Sequence, residues 1–191
     1  ILKKIVRDLS LPIAIPAYSK EPFPARNRKL PYLELTLSEP KEASMRPYKI
    51  TEKPYTRSEL SFWEQYGTGQ NILDRYHVKS LQTFQNAEGK SYCFTNTSKE
   101  PIFGFLRKDY VKVYRPFSQC RFVYGGILPE TYVFGMEQLP QRGDILFITG
   151  GEKDVLSLAS HGFYAICFNS ETGNIEESVI EMLARRFRHI F

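Results

Sequence analysis

The chain has 191 residues, of which 42% are apolar, 25% charged and 14% aromatic. This composition is typical of a globular protein with a buried core, and it excludes collagen, coiled coil and wholesale disorder. The apolar runs fall well short of the roughly 20 residues that a membrane helix needs, and the pattern of a signal peptide is missing. We therefore expect a protein with no membrane partner.

The cysteines and the first residue bear on location and completeness. Cys93, Cys120 and Cys167 are widely spaced, which fits neither a disulfide framework nor a zinc site. Free cysteines are typical of a reducing compartment, so we expect a cytoplasmic protein. The chain starts at Ile1 rather than at a methionine, and we expect it to be a piece of a longer protein.

The net charge of +5 is distributed unevenly. Residues 1–54 carry 11 basic and 6 acidic side chains, residues 55–140 carry 10 and 8, and residues 141–191 carry 5 and 7. A basic first part and an acidic last part suit a protein that holds a polyanion beside a carboxylate site. The alternative interpretation is an ordinary solvated surface.

The first 54 residues contain eight of the twelve prolines. Proline removes a backbone donor and interrupts helices, so we predict a proline-rich extended arm or linker here, with a short helix over residues 1–9. Leu33, Leu35 and Leu37 alternate in one strand-like run. We expect the arm to lie against the rest of the protein or against another chain.

Residues 55–140 predict two short helices followed by a small antiparallel sheet. Thr56 or Ser58 can cap the first helix, which contains Phe62 and Trp63 as core residues and ends at Gly67. A second helix follows, with Ile72, Leu73 and Tyr76 on one face. Short strands are predicted over residues 81–84, 91–94, 102–106, 110–114 and 121–124, with a turn at 86–89.

Residues 141–191 predict an incomplete α/β domain. Buried strands over residues 145–148 and 163–168 flank a helix at 154–160, and Gly162 closes that helix. Asn174 caps a longer helix, with Glu177 as its capping-box partner and an apolar face at Ile175, Val179, Leu183 and Phe187. A new apolar run begins at residue 189. The whole chain is therefore predicted as α+β, with an antiparallel lobe followed by a parallel sheet.

The candidate site is the segment from Thr149 to Asp154, where the first parallel strand ends. Gly150 and Gly151 would let the backbone turn sharply and approach a phosphate closely. Glu152 and Asp154 at the helix start could hold Mg²⁺ through waters. The alternative is that these two carboxylates only stabilise the helix, by ~0.3–1 kcal/mol each. The segment is neither a P-loop nor a dinucleotide fingerprint.

A second candidate surface is the strand at residues 110–114. Strand alternation places Tyr110, Lys112 and Tyr114 on one face, which we expect to point outwards. Bases of single-stranded nucleic acid could stack on the rings while Lys112, Arg115 and Arg121 meet phosphates. The same basic residues could instead contact a nucleoside triphosphate. The alternative is an ordinary half-exposed sheet.

Several motifs resemble those of a Toprim-containing DNA primase of the bacterial, phage or mobile-element type. The run ILFITGGEKDVLSL at residues 145–158 resembles the first Toprim motif, in which a strand ends in Glu-Gly and an Asp follows. The runs VKVYRPF, RFVY and FGMEQLP at residues 111–117, 121–124 and 134–140 resemble the strand-rich half of a primase core. The runs FWEQYG and YHV at residues 62–67 and 76–78 resemble its helical beginning. The resemblance covers residues 55–191.

This resemblance implies Mg²⁺-assisted synthesis of RNA primers on single-stranded DNA. Nucleoside triphosphates would be substrates, and a replicative helicase would be a further partner. Glu152 and Asp154 would be the catalytic and metal-binding carboxylates, together with groups beyond these 191 residues. Lys112, Arg115 and Arg121 would hold the template or the triphosphate, with Tyr110 and Tyr114 beside them.

Two departures from the family pattern leave alternatives open. Gly150 stands where the family has its invariant glutamate, and Glu152 follows two residues late. The next acidic motif of the family, Asp-x-Asp, would come just after Phe191. The chain could therefore be a non-catalytic nucleic-acid-binding module with a degenerate Toprim domain, or an unrelated phosphate-binding α/β domain. We expect these 191 residues alone to make no primers, which an assay of template-dependent RNA synthesis checks.

Overall fold

Alternating apolar residues and short turns build an antiparallel sheet from the first half of the described chain. The computed structural model describes residues 47–86, 93–129, 131–169 and 175–191. The first sheet contains six strands: β1 (Tyr48–Lys53), β2 (Val78–Asn86), β3 (Cys93–Thr95), β4 (Phe103–Leu106), β5 (Tyr110–Tyr114) and β6 (Phe122–Gly126). Its order is β1-β2-β4-β5-β6, with β3 paired to the second half of β2.

Strand β1 lies within the segment that the sequence analysis assigned to the arm. It pairs antiparallel with β2, from Tyr48 opposite Asn86 to Lys53 opposite Ser80. The strand forms because Tyr48 and Ile50 pack against the apolar cluster that contains Phe84. The sequence pattern did not predict this strand. It has only six residues, and Pro47 and Pro54 on either side of it are typical of breaks in secondary structure.

Two helices cross one side of this sheet, α1 (Arg57–Glu64) and α2 (Gln70–Arg75). Of the two predicted caps of α1, Thr56 is confirmed, and it forms a capping box with Glu59. Phe62 and Trp63 are buried in the core, as predicted. After the helix, Gly67 adopts a φ of 74° and turns the chain towards α2.

The Glu59 carboxylate joins four segments of the first lobe. It accepts hydrogen bonds from Lys53 Nζ (2.7 Å), Ser80 Oγ (2.9 Å), Asn96 Nδ2 (2.9 Å) and the Thr56 backbone amide (2.8 Å). Burial by itself would raise the pKa of this carboxyl group. The hydrogen bonds from Lys53, Thr56, Asn96 and Ser80 outweigh burial and lower the pKa below its ordinary value of 4.5.

Glu59→Gln is therefore expected to lower the free energy of unfolding by about 2 kcal/mol at neutral pH. A lowered folded-state pKa gives stability that is complete above the unfolded pKa and is lost as the pH falls through the folded value. The difference between wild type and variant should thus shrink on acidification, which urea unfolding at neutral pH and at about pH 3 measures. A difference that grows on acidification would contradict this role. The exposed Glu181→Gln serves as the control.

The second half of the described chain forms a four-stranded sheet, which contains the three strands that the alternating pattern predicts and one further strand that it does not. Its strands are β7 (Val133–Phe134), β8 (Gly143–Thr149), β9 (Tyr164–Phe168) and β10 (Phe187–Ile190). The order is β10-β8-β9-β7, in which β10 and β9 run parallel to β8, and β7 runs antiparallel to β9. Although β7 precedes residue 141 in the chain, it pairs with this second sheet and not with the first.

Two helices, α3 (Glu152–Ser160) and α4 (Glu177–Arg186), cover opposite faces of this sheet. Val155 and Leu156 of α3 share an apolar cluster with Ala165 and Cys167. Val179 and Leu183 of α4 pack instead with Leu146 and Ile166. The central strands are therefore buried on both faces, which explains their continuous apolar sequence.

The two sheets share one core, and this packing positions the site. The cluster around α3 also contains Trp63 of α1 together with Phe103, Phe105 and Tyr114 of the first sheet. Strand β5 consequently lies beside the carboxyl end of β8. No helix among the described residues is long and apolar enough to cross a bilayer.

Some local predictions differ from the structure or lie outside it. Helix α4 begins at Glu177 with Glu176 as its N-cap, two residues later than the predicted cap at Asn174. Ile175 is exposed instead of buried, and Phe187 starts β10 instead of ending the helix. Asn174, the turn after Asn86 and the arm before residue 47 lie outside the described residues.

Candidate functional site

A pocket of about 250 Å³ opens where β8 ends, between the second sheet and the first. The turn after β8 and the first turn of α3 form one wall, and β4, β5 and β6 form the other. Its lining residues are Phe105, Tyr114, Arg121, Phe122, Gly150, Gly151, Glu152, Lys153 and Asp154. The pocket therefore joins the two candidate surfaces of the sequence analysis, which are about 30 residues apart in the chain.

The Gly150–Gly151 turn has the predicted position but does not depend on glycine for its backbone. Gly151 has a φ of −167°, which is extended backbone that any residue adopts. No atom lies within 4 Å of the place where a Cβ on Gly151 would stand. The turn is held by the Thr149 hydroxyl, which donates towards the carbonyls of Gly151 and Ile166, each at 3.3 Å. What glycine provides here is open space beside the pocket.

Glu152 and Lys112 form a buried ion pair across the interface between the sheets. Lys112 Nζ donates to Glu152 Oε1 at 2.5 Å, and the two side chains are only 3% and 4% exposed. The Tyr132 hydroxyl donates to the same oxygen at 2.8 Å. Burial, reinforced by the charge of Glu152, raises the pKa of Tyr132, so this hydroxyl stays protonated and keeps donating.

The predicted outward face of β5 is in fact turned inwards. Lys112 and Tyr114 are buried, and Tyr110 is half-buried against the ring of Tyr132. The predicted alternation itself is confirmed, because Val111 and Val113 lie on the opposite face of β5. The expectation of an exposed face was wrong, because α3 and the second sheet pack against it, and sequence alone did not reveal that contact.

The cationic side chains differ in whether they already contact an acidic or aromatic side chain of the protein. Arg121 is exposed at the pocket and makes no ion pair within the described part of the chain. Lys153 lies 4.1 Å from the centre of the Tyr66 ring, also at the pocket. Arg115 instead stacks on the ring of Phe94 at 3.9 Å and pairs with Glu100 at 3.7 Å, away from the pocket.

Aromatic rings complete the pocket and its surroundings. Phe122 stacks on Tyr114 at 5.2 Å, its cross-strand neighbour, and is 39% exposed. Phe117, in the turn between β5 and β6, is 63% exposed and contacts Phe62 edge-on. Exposed aromatic rings beside arginine and lysine are typical of surfaces that bind single-stranded nucleic acid.

The acidic residues at the pocket fit a two-carboxylate magnesium site poorly. The Oε1 atom of Glu152 already accepts from an ammonium and a hydroxyl. Asp154 is exposed at the pocket and is the only other acid that lines it within the described residues. No group of three or more His, Cys, Asp or Glu side chains in the described ranges could enclose a metal.

Sequence reasoning missed Phe122, Lys153, Tyr132 and Asn169 as members of this site. Phe122 and Lys153 are neighbours of predicted residues, and their adjacency to Arg121 and Glu152 was a usable signal. Tyr132 and Asn169 carry no such signal, since they reach Glu152 and Lys112 only through the packing of the two sheets.

A second, larger cleft of about 540 Å³ lies on the first lobe, between the end of β1 and α2. Both lysines that line it are paired, Lys79 with Asp74 of the same cleft and Lys53 with Glu59, which does not line it, each at 2.7 Å. It therefore offers less free charge to a ligand than the smaller pocket.

Comparison with known proteins gives a fold but no family. No family model matches the sequence, and no curated protein matches it. The structure is similar to the DnaG primase catalytic domain bound to single-stranded DNA, with a TM-score of 0.51 and 15% identity over 72% of this chain. It is also similar, with a TM-score of 0.45 and 13% identity over 73% of the chain, to a bacteriophage T7 lagging-strand DNA polymerase complex with gp4 primase domains, an RNA/DNA hybrid and dTTP.

The chain spans only 56% and 62% of these two structures. The similarity to the first shows that the described residues have an α+β fold of the kind found in primase catalytic domains.

Proposed function

We propose that this chain binds single-stranded DNA in the pocket at the end of β8, as part of a primase-type protein. The observation that carries the proposal is the position of the pocket in a primase-like fold, with an exposed arginine and an exposed aromatic ring on its rim. The related solved structure is that of a domain bound to single-stranded DNA, and this agrees with the proposal.

The contacts suggest how a strand would be held. Bases would stack on the exposed rings of Phe122, which lines the pocket, and of Phe117, which lies in the turn between β5 and β6. Phosphates would meet Arg121 and Lys153, and the open space beside Gly151 would let the backbone of the strand approach the start of α3. The ring of Tyr114 stacks on Phe122, and the buried Lys112 ammonium also lies against the Phe122 ring.

The finer part of the proposal concerns catalysis in a longer protein with a Toprim domain. There, Mg²⁺-assisted synthesis of RNA primers from nucleoside triphosphates would use Asp154 together with carboxylates outside these 191 residues. A replicative helicase would be a partner of that longer protein, in the cytoplasm. Within this chain the pocket would position the template, while the metal would supply the charge that neutralises the reacting phosphates.

A second candidate is a non-catalytic nucleic-acid-binding module. It is favoured by one specific observation, that Glu152 is neutralised by Lys112 in the core of the protein. The two candidates share the DNA-binding surface and differ only in catalysis. Primer synthesis by an extended chain, and its loss on Asp154→Asn, would support the first candidate over the second.

Arg121→Ala is expected to weaken binding to an oligothymidylate several-fold at moderate salt. Since one phosphate contact is removed, the slope of log K against log salt should fall by about 1. Fluorescence anisotropy over a salt series measures both. The matched control is Arg185→Ala, which removes an exposed arginine of α4 that does not line the pocket. Equal effects of the two substitutions would argue for non-specific attraction, and salt-independent or absent binding would favour a phosphate-binding domain of another class.

A further inference from the structure

We infer that the Lys112 ammonium is the resident cation of this site and that Glu152 is its counterion instead of a metal ligand. Glu152 is the acid nearest to the position where the primase resemblance requires a metal-binding glutamate. Its contacts show a different arrangement, in which the charge is already balanced by a side chain of the same protein.

The surroundings of the ammonium form a cage of oxygens and rings. Lys112 Nζ donates to Glu152 Oε1 at 2.5 Å and to Asn169 Oδ1 at 3.2 Å. The ring centroids of Phe122, Tyr132 and Tyr124 lie 4.7, 5.0 and 5.7 Å from it. Three aromatic rings within about 6 Å of a cation is the arrangement that attracts an ammonium.

The members of the cage hold one another in place. Tyr132 donates to Glu152 at 2.8 Å, and Tyr124 donates to Asn169 at 3.1 Å. Both oxygen acceptors of the ammonium are thus fixed by a second hydrogen bond. The cage therefore exists as a built site with its cation supplied by β5.

A divalent cation at Glu152 would be opposed by this arrangement. Mg²⁺ binds carboxylate oxygens at 2.0–2.1 Å and demands octahedral geometry with several waters. Here it would have to approach a carboxylate that already carries an ammonium 2.5 Å away, in a place that is almost closed to solvent. Like-charge repulsion is strong at such distances in a poorly hydrated interior. Asp154, which is exposed, remains open to a cation.

The first test uses the chain without nucleic acid, so its outcome is separate from that of the proposed function. Water-proton relaxation with added Mn²⁺ would be measured for wild type, Glu152→Gln and Asp154→Asn. We expect Glu152→Gln to bind Mn²⁺ as wild type does, whether wild type binds it weakly or not at all. A clear loss of Mn²⁺ binding in Glu152→Gln, equal to or larger than that in Asp154→Asn, would overturn the inference.

The second test empties the cage. In Lys112→Ala, propylammonium should raise the melting temperature, while Mg²⁺ at the same ionic strength should not. The double variant Lys112→Ala with Glu152→Gln should show no such gain, because it lacks the counterion. Rescue by Mg²⁺ in place of the amine would overturn the inference. If Lys112→Ala does not fold, the amine should still promote its refolding from urea, and failure to do so while Mg²⁺ succeeds counts against the proposal.

Discussion

Replacing Lys112 by methionine is expected to lower the free energy of unfolding by about 3–5 kcal/mol, since removing one partner of a buried ion pair leaves the other charge uncompensated. Methionine retains most of the apolar volume of the lysine stem, so the effect reports the charge and not a cavity. Equilibrium unfolding in urea, in buffer with EDTA, measures the loss.

The double variant Lys112→Met with Glu152→Gln should recover most of this loss, because no buried charge then remains. The matched control is Lys153→Met, which removes a lysine at the pocket rim that has no carboxylate partner among the described contacts. We expect it to change stability by no more than about 0.5 kcal/mol. If Lys112→Met is as mild as Lys153→Met, the ion pair does not hold the two sheets together.

The second large effect is expected for Trp63→Ala, at about 3–5 kcal/mol. Trp63 is completely buried where α1 meets the first sheet, and its ring contacts those of Phe62 and Phe103 at 5.3 and 5.1 Å. Its loss would leave a cavity in the core that α3 and both sheets share. Thermal and urea unfolding measure the loss.

Phe117→Ala is the matched control for Trp63→Ala, because Phe117 contacts the same Phe62 but is 63% exposed. We expect about 0.5 kcal/mol or less from this change. The proposed function predicts the opposite order for DNA affinity, with Phe117→Ala weakening binding although the fold is retained. A Trp63→Ala loss as small as the control would mean that the core reorganises around the missing ring.

The structure brings the two candidate surfaces, the strand at residues 110–114 and the turn at residues 149–154, into one site. From the sequence, Lys112 belonged to a nucleic-acid-binding face and Glu152 to a metal site, and each assignment was chemically reasonable by itself. In the structure Lys112 Nζ lies 2.5 Å from Glu152 Oε1. The lysine is therefore not part of an exposed face, and the glutamate already has a cation beside it. Arg121 and Asp154 are exposed, so among the described residues that line the pocket the free charges are one acid, Asp154, and two cations, Arg121 and Lys153.

Sequence patterns predicted the structure correctly where neighbouring residues in the chain determine it. The capping residue of α1, the inward valines of β5 and the alternation of strands and helices after residue 143 follow from propensity, periodicity and turn chemistry, which act over a few residues. The same patterns predict the α+β class. They failed at the start of α4, where the N-cap is Glu176 and its side chain makes no capping hydrogen bond.

The sequence by itself determined the order of the elements from α1 to β10, apart from β7, and the position of the Gly150–Gly151 turn at the end of a buried strand. Only the tertiary structure decided which face of β5 meets solvent and which charges remain free. The physical reason is that burial of a side chain depends on what packs against it from distant parts of the chain. Lys112 and Glu152 are 40 residues apart, and within the described ranges the ion pair of each is with the other.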